Sequence, residues 1–143
     1  MHLQPSLEQI TDFFYRKGVP LRIPQHPVDK AIALAQATCP GKATLVVSDW
    51  MMLDLDLPSH ALQKLSAHGC QPTTVFASTV LQDSQQKLRE GAWARSGFLL
   101  RLHHDFLFET PSRVVVLIGD GHRKQAGGDL LSFIPHWKPL PTG

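Results

Sequence analysis

The sequence predicts a single α+β domain spanning residues 1–143: a largely antiparallel sheet, with a β-meander in its C-terminal half, covered by two or three helices. Three observations lead there. Apolar residues at helical spacing gather mostly before residue 69, β-branched and alternating runs dominate about residues 43–57 and 73–119, and turn residues separate the two kinds of segment. With 143 residues and 43% hydrophobic content the chain can bury one core and is short for two.

Each element follows from local chemistry. Ser6-Leu7-Glu8-Gln9 matches a capping box, Leu7, Ile10, Phe13 and Phe14 continue one helical stripe, and Gly18 suits its end. VPLRIPQHP holds three prolines in nine residues and is expected to be a stiff loop. A second helix should begin at Pro27, present Val28, Ala31, Ile32 and Ala35 on one face, and close at Pro40-Gly41. ATLVVS and the alternating MMLDLDL read as strand, with Asp49 and Trp50 at the join. A third helix is predicted over about Pro58 to His68, with Ala61, Leu62 and Leu65 on its apolar side and Gly69 as its stop. Then come the strand TTVFASTVL, the polar turn region QDSQQKLREG, and AWARSGFLLRLH as one further strand. FLFET and RVVVLIG complete the meander, the latter valine-rich enough for a central strand, and Phe108 and Val116 are expected in the core. DLLSFI is a short helical candidate, and residues 135–143 should form an extended tail.

Composition removes several function classes. A formal charge of +2, from 14 basic and 12 acidic residues, gives no strong footprint for nucleic acid. Cys39 and Cys70 lie far apart without a C-x-x-C pairing, so neither a disulfide scaffold nor a zinc ribbon is indicated. The sequence shows no signal-peptide pattern and no apolar run approaching membrane-span length, so a cytoplasmic location is expected.

Eight histidines raise the question of a site. His103-His104-Asp105 offers a base and a carboxylate, but neighbouring strand residues face opposite ways, so a solvated hairpin is the simpler reading. GDGHRK could hold an anion through backbone amides; it reads better as a strand-ending turn with Asp120-Gly121 supplying positive φ. Asp49, Asp54, Asp56 and His60 carry oxygen and nitrogen donors for a divalent ion, yet Asp54 and Asp56 alternate with leucines as the wet side of a strand does. No metal, cofactor or catalytic residue is assigned. Trp93, Arg95 and Arg101 fall at strand spacing on one face, and with His122 and Arg123 on the closing turn they form the predicted binding set, the alternative being that Trp93 packs under the N-terminal helices while the arginines reach out to water. The charged members are expected to face solvent and add little to folding.

A wider pattern runs through the second half: Ala77, Asp83, Gly91, Trp93, Arg95, Phe108, Thr110, Gly119, Gly121 and Arg123, with Asp49, Trp50 and Asp54 before it. In this the chain resembles an uncharacterised family of small proteins from Pseudomonas-type bacteria and their phages. The resemblance covers roughly half the chain and leaves the N-terminal helices outside. Ala94, Ser96-Gly97 and Gln85-Gln86-Lys87 depart from the pattern. The resemblance implies the fold and a mobile-element setting, and carries no chemistry.

The function expected is a non-catalytic interaction protein of phage or mobile-element type that binds, and in its sharpest version inhibits, a host macromolecule in an anti-defence role. A host protein or complex is the expected partner. One alternative is a nucleic-acid-binding module using Lys87, Arg89, Arg95, Arg101, Arg123 and Lys124, with Trp93 for stacking. Another is a small hydrolase centred on His103, Asp105 and His122.

Overall fold

In the computed structural model, which describes residues 18–127, the elements follow in the order β1 (Val19–Leu21), α1 (Val28–Thr38), β2 (Ala43–Asp56), α2 (Ser59–Ala67), β3 (Thr73–Asp83), β4 (Ala94–Arg95), β5 (Arg101–His103), β6 (Leu107–Glu109), β7 (Arg113–Leu117) and β8 (Gly121–Gly127). The predicted helix at residues 6–18, the DLLSFI candidate and the 135–143 tail lie outside the described residues, Gly18 excepted.

The long strand β2 is the axis of the sheet. One edge pairs antiparallel with β3, which carries the short β4, and the other edge is shared by two strands in succession. Residues 43–47 run parallel to β7, and residues 51–56 run parallel to β8. From β7 the sheet continues antiparallel through β6 to β5, and from β8 it continues to β1. The sheet is therefore mixed rather than purely antiparallel: among the described residues five of its pairings are antiparallel, the two of β2 with β7 and β8 are parallel, and it forks where β7 gives way to β8.

Local chemistry explains the fork. Asp49 in β2 has φ 51°, and Gly119 between β7 and β8 has φ 77°, so both neighbours bend at the same level. Trp50, 2% exposed, fills the angle and its Nε1 donates to the Gly119 carbonyl at 3.0 Å. Its indole and carbonyl lie over Gly121, where a Cβ would come within 2.5 Å. Asp120 points the other way and accepts from the Ile23 amide at 3.1 Å, tying down the proline-rich connector. The positive φ at this turn thus belongs to Gly119, not to Asp120-Gly121, and GDGHRK runs directly into strand β8.

Helix α1 matches its prediction, with Ala31 and Ala35 fully buried where it meets β2 and β7. Helix α2 begins after Pro58 and stops before Gly69 at φ 74°, yet none of its residues is buried. Phe108 and Val116 are both 0% exposed, as expected of the meander's core, and β7 is buried along its whole length. Two expectations need correction. AWARSGFLLRLH is not one strand, because only Ala94–Arg95 and Arg101–His103 keep strand pairing and a single bridge joins Leu99 to Gln71 between them. The proline connector also contributes β1, where Pro20 is tolerated because the strand lies at the edge.

Candidate functional site

The register of the sheet decides which predicted residues meet. Arg95, Phe76, Met51 and His122 stand in one cross-strand row on β4, β3, β2 and β8, and therefore share a face. Trp93 joins them by stacking on Phe76 with ring centroids 5.8 Å apart. Arg95 is half-buried there, and burial lowers its guanidinium pKa from the ordinary value. Arg123 is one residue out of phase with His122 and faces the opposite side. It closes a bidentate pair on Asp54 at 2.7 and 2.9 Å, and the Thr73 hydroxyl donates to the same carboxylate. These bonds, that from Arg123 first, hold Asp54 below the usual carboxylate range. Arg101 is exposed on β5, at a separate edge of the sheet. The structure thus brings three of the five predicted binding residues together, Trp93, Arg95 and His122, and separates Arg101 and Arg123 from them.

The hydrolase grouping does not converge either. His103 lies in the row of Val46, and His122 in the row of Met51, about 16 Å further along β2 at roughly 3.3 Å per residue. Asp105 is exposed in the turn after β5, where His104 and Asp105 both take positive φ and the Phe106 amide closes onto the His103 carbonyl.

His103 itself has company that the spacing did not announce. Its Nε2 donates to Glu109 Oε1 at 2.8 Å, while Lys42 Nζ sits 2.6 Å from Glu109 Oε2 and also donates to the Thr110 carbonyl at 2.7 Å. Cys39, the C-cap of α1, completes the group, and the Cys39, His103 and Glu109 donor atoms all lie within 4.8 Å of one another. Burial, with Glu109 adding to it, pushes the Cys39 thiol above its ordinary value. Burial would raise Glu109 as well, but the hydrogen bonds from His103 and Lys42 outweigh it and its pKa falls. Glu109 disfavours the Cys39 thiolate, and the His103 Nε2 is engaged with the same carboxylate, so the group as it stands does not activate Cys39 as a nucleophile. The signal available in the sequence was the hairpin: once β5 and β6 pair as Arg101 with Glu109, residues 103 and 109 share a face. Cys39 and Lys42 could be placed there only by knowing which sheet face α1 covers.

A second feature lies beneath α2. Leu57, Ala61, Leu65, Cys70, Phe98 and Pro111 line an apolar cleft of about 450 Å³, with Lys64 and His68 also along it. The cleft exists because α2 presents Ala61 and Leu65 toward the end of the sheet without burying either fully. Lys64 and His68 are exposed, and the His68 ring bonds the Lys64 carbonyl at 2.8 Å, placing basic groups beside apolar walls.

Among the described residues no helix is long and apolar enough to cross a membrane. Comparison with curated proteins and with solved structures gives no match. A family model does match, over residues 24–131, and so takes in both helices as well as the meander. A match across that much of the chain, from α1 to beyond β8, identifies the protein as a member of the family described as Domain of unknown function (DUF6957).

Proposed function

We propose that this chain is a cytoplasmic interaction protein of phage or mobile-element type, which seats an apolar anchor of a host protein in the cleft beneath α2 and thereby inhibits that partner. The cleft carries the reading. A helix with no buried residue, laid along an apolar hollow of about 450 Å³, leaves unfilled the kind of space that a buried anchor side chain fills at an interface. Lys64 and His68 beside it favour an anchor flanked by acidic residues. The resemblance carried by residues such as Asp83, Trp93 and Arg95 supplies the mobile-element setting.

A nucleic-acid surface has less in its favour. Arg95 and Arg123 face opposite sides of the sheet, Arg101 stands on a separate edge, and Arg123 is already neutralised by Asp54. The partner reading is tested by affinity capture from host lysate with the wild type and Ala61→Arg, which fills the cleft with a good helix former. The variant should melt like the wild type and retain the partner at least about tenfold less. Equal retention by the two proteins would place the interface elsewhere, and retention that collapses with added salt and nuclease would favour nucleic acid.

A further inference from the structure

We infer that Cys39, His103 and Glu109 form a binding site for a zinc ion, a site independent of the cleft and opposite to the sequence expectation of no metal. The three residues come from separate elements. Cys39 ends α1, while His103 and Glu109 lie on β5 and β6 and turn toward that helix end. Their donor atoms already fall within 4.8 Å of one another. Ligands on one zinc ion, at about 2.3 Å for sulfur and about 2.0–2.2 Å for nitrogen and oxygen, stand roughly 3.3–3.7 Å apart, so small side-chain rotations close the set.

The donor chemistry fits zinc better than the hard cations. A thiolate and an imidazole select a borderline-soft ion, and magnesium or calcium would demand oxygen ligands throughout. Glu109 divides its two oxygens: Lys42 holds Oε2, and Oε1 is the one turned to His103. On binding, Oε1 transfers to the metal while Lys42 keeps the carboxylate oriented, the usual part of an outer partner in a zinc site. The Cys39 proton leaves to solvent, the His103 proton resides on Nδ1, and Nε2 gives its lone pair to zinc. Thiolate and carboxylate together balance the charge of the ion. His103 and Glu109 retain 19% and 18% side-chain exposure, which gives the ion a path in and leaves room for a water as fourth ligand. The ion would then lock the end of α1 to the β5–β6 hairpin.

The test uses the purified chain stripped of metal. Zn²⁺ is titrated against a chromophoric chelator, and Co²⁺ serves as the spectroscopic substitute. One equivalent of zinc should bind and raise the melting temperature, and the cobalt form should show a thiolate-to-metal charge-transfer band. Cys39→Ser, nearly isosteric, should abolish that band and weaken zinc binding by about a hundredfold or more, beyond what losing an outer partner costs. His104→Gln, altering the exposed neighbour, should change neither. Two results would overturn the inference: a wild-type protein that takes up cobalt without a thiolate band or takes up no metal, and a folded Cys39→Ser variant that binds zinc as the wild type does. In either case the group is only an ion-pair network joining Lys42, Glu109 and His103.

Discussion

Most residues that carry the family resemblance have an architectural duty. Asp83 accepts the amides of Gln85, Lys87 and Leu88, so one carboxylate shapes the loop that follows β3. Gly91 takes φ 85°, and Thr110 bonds both the amide and the carbonyl of Arg113. Gly121 is needed for a different reason, the lack of room beneath Trp50. Gly121→Ala should therefore destabilise the fold by about 1–3 kcal/mol, measured by urea unfolding, since a backbone oxygen must move to admit the methyl. The Asp54–Arg123 pair gives a pH-dependent counterpart. Asp54 titrates below its ordinary 3.8 when folded, so its contribution is present above that value and is lost as pH falls through the depressed folded value. Both side chains are partly exposed, so the contribution is at most about 1 kcal/mol. Asp54→Asn should be slightly less stable than wild type near neutral pH, and the gap should close in an acid unfolding series. Arg123→Glu is for the same reason no neutral surface change: it would set two carboxylates face to face, and its melting temperature should fall.

At the scale of elements, legibility followed how local the determining chemistry was. Helix α1 was readable because proline, alanine spacing and the closing Pro40-Gly41 all lie within its own sequence. So was β7, whose valines admit little besides a buried strand. The segment from Trp93 to His103 was misread because its alternation looks continuous, while the chain departs from regular ladder pairing after Arg95, although the Ser96 and Leu99 amides still bond the β3 carbonyls of Val75 and Thr73 and Leu99 bridges Gln71. That departure depends on a long-range partner. β8 was missed likewise, since HRKQAG has no apolar alternation and is held in the sheet by pairing with β2 on one side and β1 on the other. The β5–β6 turn is a testable case of local strain. His104 and Asp105 occupy positive φ that Asn-Gly adopts more easily, so His104→Asn combined with Asp105→Gly should stabilise the protein by about 1 kcal/mol in thermal melts. Helix α2, with no buried residue, should exchange its amides well before β7 does in native-state hydrogen exchange.

On the scale of the whole molecule, one long strand organises a forked sheet whose core is carried by β2, β3 and the meander, and helix α2, with no buried residue, stands over an apolar hollow. Core and cleft answer to different mutations. Phe108→Ala, at a fully buried position, should cost about 3–5 kcal/mol of stability, whereas Ala61→Arg should leave stability nearly unchanged. The candidate site was only partly legible in the sequence. Ala61 and Leu65 were visible as an apolar helical side, but what they face, Phe98 and Pro111, is set by the break after β4 and the turn before β7. The most direct measurement is methyl chemical-shift mapping of the isotopically labelled protein with its captured partner. Docking in the cleft should shift and broaden the methyl signals of Leu57, Ala61 and Leu65 and leave those of Val115 and Leu117 in place. Shifts confined to the neighbourhood of Arg95 and His122 or of Arg101, with Ala61 and Leu65 unmoved, would contradict it.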